Sequence, residues 1–380
     1  RDPDHSLVGS EMCIRDSDTS GGQIFFQPSD RTFETLGGGI IDVTAGGDID
    51  GGQVVLGRGA GRIRSLADTG FAEQAPRVYV GDDAQLEWIG SGSIQLSGVS
   101  DPTVADLSES QLTLLLQSGT IVVPSLLAIA NEFYTYSDAT EISVTSIGGN
   151  VTFDGPEFSK LLPPTIRAAS LGGDVNLAPP LLETFPAPSG QLELLARDNV
   201  TGNFSGSALS RLTQSDQDPA LLPNVNRPAI AAGIPLFAPA PIRRDSSEPN
   251  LIVARDGSIQ SLPGAAGFLT IELAKPGVFQ AGTDINNISV RVQNIQDQAL
   301  TSFTAGRDIV QGTLRTNTGR FAASDPRIFE IWGPGSAEFV VGRDISLGTS
   351  SGIETIGNVK NAALTDEGSS VILLAGTGGE

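Results

Sequence analysis

Apolar and polar residues alternate along most of the chain in short runs, such as Gln191-Leu-Glu-Leu-Leu195, Leu269-Thr-Ile-Glu-Leu273 and Ile288-Ser-Val-Arg-Val292. A period of two sends successive side chains to opposite faces, so each run predicts a half-buried β-strand. A corner pattern cuts the runs: a small or aliphatic residue, Gly, a variable residue, Asp or Asn, then Ile or Val. It reads Ala45-Gly-Gly-Asp-Ile49, Ile147-Gly-Gly-Asn-Val151, Leu171-Gly-Gly-Asp-Val175, Ala281-Gly-Thr-Asp-Ile285, Ala305-Gly-Arg-Asp-Ile309 and Val341-Gly-Arg-Asp-Ile345. Weaker copies are Ala196-Arg-Asp-Asn-Val200, Ala254-Arg-Asp-Gly-Ser258, Gly92-Ser-Ile94 and Gly119-Thr-Ile121.

The copies are periodic. Asn150, Asp174 and Asp198 lie 24 positions apart, as do Asp284 and Asp308, while Asp308 to Asp344 is 36, one coil plus an insertion. One unit cannot bury its apolar face alone, but units stacked at the ~4.8 Å strand spacing enclose a continuous interior. A repeat of this length suits three short strands and three corners, and predicts an all-β parallel β-helix of about ten coils and roughly 50 Å. The expected structural corner positions are Gly46, Asp48, Gly148, Asn150, Gly172, Asp174, Asp198, Asp256, Gly282, Asp284, Gly306, Asp308, Gly342 and Asp344. Gly is expected there for a left-handed backbone, and Asp or Asn to cap turn amides. The arginines before four of the acids (Arg197, Arg255, Arg307, Arg343) are placed to pair with acids on adjacent coils. A propeller needs blades of ~40–50 residues with Trp-Asp marks, and leucine-rich repeats need a Leu-x-x-Leu-x-Leu frame; neither is present.

Two stretches interrupt the coils. Leu112–Ala130 is the most apolar run, but Gln117, Ser118, Gly119 and Pro124 break it, so no transmembrane segment is expected. It reads as a coil followed by a short helix over 125–133. Residues 205–250 form a Pro-rich excursion, with seven prolines between Asp218 and Pro249. Proline cannot donate to a central ladder. The excursion is either a plain loop or a presented binding surface, since solenoids carry their insertions on one face.

Composition narrows the function. The 380 residues include 46 Gly, 23 Lys and Arg, and 44 Asp and Glu, for a formal net charge of −21. An acidic chain does not suit nucleic acid, whose phosphates need a basic face. One His, one Cys and one Met argue against disulfides, thiol metal sites and His-based catalysis. All three (His5, Met12, Cys13) fall in residues 1–17. There, Ser6–Ser17 (SLVGSEMCIRDS) resembles a translated sequencing-adapter read-through. Residues 1–17 are therefore expected to be non-native and disordered, and 18–380 a single β-helix segment. That segment carries 40 acids and 21 bases once Asp2, Asp4, Glu11, Asp16, Arg1 and Arg15 are set aside. The final Ala375-Gly-Thr-Gly-Gly-Glu380 lies inside a repeat motif, so the chain reads as an internal fragment.

The repeats, together with Gly190-Gln-Leu-Glu-Leu-Leu-Ala-Arg-Asp198, Asp218-Pro-Ala-Leu-Leu-Pro223, Gly333-Pro-Gly335 and Val341-Gly-Arg-Asp-Ile-Ser-Leu-Gly-Thr-Ser-Ser-Gly-Ile353, resemble the filamentous haemagglutinin family of secreted exoproteins of Gram-negative bacteria. The resemblance implies a right-handed parallel β-helix. It also implies export of the parent protein through an outer-membrane partner transporter (two-partner secretion) and a location at the cell surface. The implied role is adhesion to a host-cell or environmental receptor or glycan, or a stalk for a contact-dependent toxin. Neither the secretion domain nor a toxin domain is evident in the sequence.

An enzyme is the competing class, because some parallel β-helices cleave polysaccharides. Glycoside hydrolysis needs two carboxylates about 5–10 Å apart. The Asp82-Asp83 dipeptide is a poor candidate, since one of two consecutive strand residues faces inward. A Gly-His-Gly element, common in hydrolases of this fold, is impossible without a His beyond His5. Lys160 and Lys275 lie near Pro and read as surface residues. Trp88, Trp332, Tyr134 and Tyr136 could stack on sugars but read as packing residues. The stacked acids raise weak divalent binding, although their corner role suffices. The expectation is a non-catalytic structural and adhesive segment, with no cofactor, no catalytic residue and no metal site.

Overall fold

Each alternating run becomes a strand that pairs with its counterpart one coil later. The computed structural model describes residues 12–15, 24–25, 31–70, 75–104, 133–155, 158, 161–179, 181–202, 209–223, 242–243, 245–261, 268–312, 327–359 and 361–378. Its strands form a parallel β-helix. The longest sheet has twelve strands, from Met12–Arg15 to Ser370–Ala375, and a second has eight, from Ile94–Leu96 to Ile345–Ser346. The third face holds four strands over the first coils and six over the later ones. Partners are parallel and in register, as in Glu141–Ser146 against Thr165–Ser170, Val151–Phe153 against Val175–Leu177, and Leu181–Thr184 against Arg211–Gln214. Twelve strands at ~4.8 Å give a stack of roughly 50 Å.

The repeat length is elastic around the expected value. Glu141 pairs with Thr165, 24 positions on, but Ala60 pairs with Gln85 and Val175 with Val200, 25 on, and Ile40 with Ala60, 20 on. Pairing fixes only the strands, so a corner absorbs each extra residue.

The interior consists of like residues stacked in rows. Ile94, Val151, Val175, Val200, Ile285 and Ile309, the Ile or Val of the sequence pattern, and Ile259, just after it, are all 0% exposed and successive partners in the second sheet. Phe279, Phe303 and Phe339 stack with ring centroids 4.7 and 4.5 Å apart and planes within 12° and 10°. That separation matches the strand spacing, so each ring sits flat on the next. Phe329 meets Phe303 and Phe339 edge-on from the third face. At the last position of the first-sheet strands the row is small: Ser146, Ser170, Ala196, Ala254, Ala281 and Ala305. The buried hydroxyls of Ser146 and Ser170 serve the corner. Each donates to a carbonyl of the preceding coil, Gly92 (2.7 Å) and Gly149 (2.6 Å), and accepts from the N–H of Gly149 or Gly173 at 3.0 Å.

Two expectations change, and a third lies almost wholly outside the described residues. Met12–Arg15 form a strand in register with Ile41–Thr44, not a disordered tail. The open edge of a sheet presents unpaired N–H and C=O groups that the preceding chain can satisfy. The Pro-rich excursion begins later than residue 205, because Leu209–Gln214 is a strand between Leu181–Thr184 and Phe268–Leu273. Alternation there outweighs the prolines nearby, all of which follow the strand. Of the helix expected over 125–133 only Phe133 is described, and it is not helical; the rest lies outside the described residues.

Substituting Phe303→Ala removes the middle ring of the stack. It is expected to cost about 3–5 kcal/mol, with Phe303→Leu costing less. Equilibrium denaturation followed by circular dichroism measures both.

Candidate functional site: the corner ladder and the buried charges

The polar residue of the corner pattern bonds mainly to the neighbouring coil. The side chain of Asp48 accepts from the backbone N–H of Asp68 (3.0 Å), Asp68 from Ser93 (2.6 Å), and Ser93 from Asn150 (3.2 Å). Asn150 accepts from Asp174 (2.8 Å), Asp174 from Asn199 (2.8 Å), and Asn199 from Ser258 (2.9 Å). Ser258 accepts from Asp284 (3.3 Å), Asp284 from Asp308 (3.1 Å), and Asp308 from Asp344 (3.1 Å). A line of side-chain acceptors thus runs without a break from Asp48 to Asp344. Parallel strands leave a gap in backbone pairing where the chain turns, and a side-chain oxygen fills it.

Asp198 and Asp256, expected as corner acceptors, stand beside this line. Asn199 and Ser258 hold the positions, because the intervals there are 25 and 59 residues. Asp256 instead accepts from Arg255 (2.7 Å) and Arg197 (3.4 Å), and Asp198 lies 4.0 Å from Arg197. Asp68 and Ser93, which complete the line, sit in corners without the full pattern. Their signal was a polar residue one before or near an inward Ile or Thr.

The corner glycines serve close approach. None of Gly46, Gly148, Gly172, Gly282, Gly306 and Gly342 has a positive φ. A Cβ on Gly306 would lie 2.2 Å from the carbonyl oxygen of Gly282, and one on Gly342 would lie 2.0 Å from that of Gly306. The expected left-handed backbone occurs elsewhere, as at Gly333 and Gly335 (φ 79° and 83°), where Gly333-Pro334-Gly335 turns directly from Phe329–Trp332 into Ser336–Val341.

Arginines reinforce the ladder from outside. Arg307 is bidentate on Asp284 in the preceding coil and Arg343 on Asp308. Arg343 holds the Asp308 carboxyl below its usual range, chiefly through its hydrogen bond. On the outer face of the long sheet, Arg62 donates to Glu87 (2.9 Å), and Arg167 bridges Glu141 (2.8 Å) and Glu193 (2.7 Å). Exposed pairs of this kind contribute little each; their effect is to fix register.

The third face carries a row that is more deeply covered. Glu183, Thr213, Glu272, Arg291 and Glu330 are successive partners pointing away from the apolar interior. Glu272 is saturated: Arg291 (2.8 Å) reaches one oxygen, Thr213 Oγ1 (2.9 Å) and Arg211 (3.6 Å) the other. Burial, with Glu272 adding to it, pushes the Glu183 carboxyl up to about 7, and its Oε1 has no hydrogen-bond partner. A strand separates Glu183 from Glu272, and Glu272 has no free oxygen to act as base or nucleophile. Asp82-Asp83 is a turn: Asp82 has φ 39° and pairs with Arg58, while Asp83 is exposed. Among the described residues no group of three or more His, Cys, Asp or Glu comes together to hold a metal ion.

The aromatic residues are packing residues. Trp88 is 1% exposed in the core. Trp332 packs with Ala274 and Leu364 and donates to Glu330 (2.8 Å). Tyr134 and Tyr136 cluster with Phe185, and Tyr136 donates to the Leu161 carbonyl (3.0 Å).

Lys275 is the clearest departure from the sequence reading. Expected on the surface, it is 1% exposed. It lines a cavity of about 360 Å³ with Arg243, Ser189, Ser246 and the rim acids Asp138 and Glu248. These residues lie on one corner, where the chain leaves the third face for the long sheet, in the turns before Glu141–Ser146, Leu192–Ala196, Asn250–Ala254 and Gly277–Ala281. Burial pulls Lys275 down to about 8 and Arg243 down to about 10. Arg243 is fully buried against Asp216 (3.2 Å), which also accepts from Ile242 N–H (3.1 Å) and Gln293 (3.0 Å). Its pattern of Pro, Arg and Asp gave no hint, because burial here depends on which insertion folds over which coil. Lys160 lies outside the described residues.

Stacked coils with a bonded corner line define the class as a β-helical solenoid scaffold. No family model, no curated protein and no solved structure matches the chain. Among the described residues no helix is long and apolar enough to cross a membrane.

The ladder separates substitutions that look alike in sequence. Asp284→Ala, which strands the Asp308 amide and frees Arg307, is expected to cost about 1–2 kcal/mol. Asp284→Asn, which keeps an acceptor as Asn150 and Asn199 do, should cost less. Asp198→Ala should stay within about 0.5 kcal/mol. Urea melts of the three variants check the order.

Proposed function

We propose that this chain is a non-catalytic, structural and adhesive β-helical segment of a large secreted surface exoprotein of the filamentous haemagglutinin type. The observation that carries the reading is where the repeated polar residues go. The acceptors from Asp48 to Asp308 are committed to the next coil's amide, and Arg307 and Arg343 to the preceding coil's acid. Stacking thus accounts for these repeated polar residues, which favours a structural role over a catalytic one. The long sheet offers a continuous outer surface across twelve strands, with Asp42, Arg62, Glu87, Ser143, Arg167 and Glu193 following one another along it. A long, stiff surface of this kind suits presentation to a receptor or glycan. A chain of one Cys also suits export unfolded through an outer-membrane transporter, since it forms no internal disulfide to obstruct passage. The same stack would serve equally as the stalk of a contact-dependent toxin.

Two assays test the reading. Incubated with acidic polysaccharides, the protein is expected to release neither new reducing ends nor unsaturated sugars; release of either overturns the non-catalytic half. Immobilised on beads, it is expected to retain epithelial cells or a subset of arrayed glycans above an albumin control. Retention at the control level overturns the adhesive half.

A further inference from the structure

The cavity beneath the Pro-rich excursion stands apart from the adhesive reading and would exist in a scaffold that bound nothing else. Its floor is cationic and desolvated. The Lys275 ammonium donates to Gln191 Oε1 and to Ser246 Oγ (3.3 Å), both neutral. Among the described residues no carboxylate lies within 4.0 Å of it. Its neighbour Arg243 spends Nη1 on the Ser215 carbonyl (2.6 Å) and on Asp216, while Nε and Nη2 have no hydrogen-bond partner. Asp216 therefore balances one of two buried cations. An unbalanced buried charge is costly, and proteins resolve it by pairing or by neutralising the group. The downward shift of Lys275 to about 8 reflects that tension and still leaves it charged at pH 7.

The walls suit a small polar guest. Ser189, Ser246 and Ser247 supply hydroxyls, and the volume of about 360 Å³ is at the lower end of the ~300–1,000 Å³ usual for small-molecule sites. The carboxylates lining the cavity are Asp138, Asp245 and Glu248, all exposed at the mouth, and the nearby Glu193 is already paired with Arg167 (2.7 Å). Water screens them far more than it screens the floor, and Asp138 already accepts from the Ser189 N–H (2.8 Å). A compact anion fits past them, whereas an extended polyanion would meet their repulsion.

We propose that this cavity binds a compact oxyanion, free or carried on a single sugar-sized molecule, with Lys275 and Arg243 as its cationic floor. The anion supplies the missing counter-charge, and the serine hydroxyls fix its orientation. Residues 242–243 and 245–248, at the end of the Pro-rich excursion, then form the wall that completes a binding site.

Isothermal titration of the full chain at pH 7 and low ionic strength tests this with three probes: inorganic phosphate, glucuronate and glucose. Phosphate or glucuronate should bind saturably at one site, and glucose should not. Equal affinity for the two anions assigns the site to the free ion, and at least tenfold tighter glucuronate assigns it to an acidic sugar. Lys275→Gln should weaken the anion at least tenfold. Ser247→Glu, at the exposed mouth, should do so without touching the floor and remains informative if Lys275→Gln fails to fold. Absence of binding by either anion, equal binding of glucose, or unchanged affinity in Ser247→Glu and in folded Lys275→Gln would overturn the proposal.

Discussion

Everything in this structure depends on one constraint: each coil must lie in parallel register on the last, at the spacing set by backbone hydrogen bonds between strands. That spacing is the same at the interior, at the corners and on the outer faces. Inside, it sets the separation of ring centroids, so Phe279, Phe303 and Phe339 stack face to face. At the corner it places a side-chain oxygen of one coil against the amide of the next, from Asp48 to Asp344. It also brings Gly282, Gly306 and Gly342 so close that a Cβ would strike the backbone of the coil beneath. On the outside it aligns Arg307 with Asp284 and Arg343 with Asp308. One repeat distance thus dictates ring, acceptor, glycine and ion pair together.

The same constraint explains what the sequence could and could not reveal. Strands and interior rows were legible because period two and the Ile or Val after each corner recur at nearly constant spacing. The acceptor line was legible where the interval was regular, as at Asp284 and Asp308. It was misread at Asp198, where a repeat of 25 moves the role to Asn199. Spacing alone cannot see a one-residue slip, because the corner, not the strand, absorbs it. The glycines were found at the right places for a different physical cause: intercoil contact is invisible in one unit and exists only in the stack. Lys275 was hidden for a related reason. Its burial comes from residues 242–248 and Gln191, distant in sequence and brought together by the shared corner.

Insertions follow a pattern of their own. The long stretch between Leu209–Gln214 and Asn250–Ala254, and the one between Ile353–Ile356 and Ser370–Ala375, leave from the same corner of the coil. The second packs back on the third face, where Asn361 donates to Gln293 (2.8 Å) and Leu364 covers Trp332. A regular stack therefore provides rigidity; the insertion between Ile309–Val310 and Phe329–Trp332 leaves from another corner, and the corner leading into the long sheet carries the buried charges. The buried ion pair of Asp216 and Arg243 and the cavity floored by Lys275 both lie there. This division of labour, with repeats for structure and insertions for recognition, follows from stacking: a change within a strand or on the corner line disturbs the neighbouring coils, and a change in an insertion need disturb none.

The most direct test of the account is amide hydrogen exchange at the corner line. If the side-chain oxygens bind successive coils together, the N–H groups of Asp174, Asn199, Asp308 and Asp344 will exchange as slowly as those of adjoining strand residues such as Ala305, although they sit in turns. Exchange of these four amides at the rate of an open loop, with the strands still protected, would contradict it.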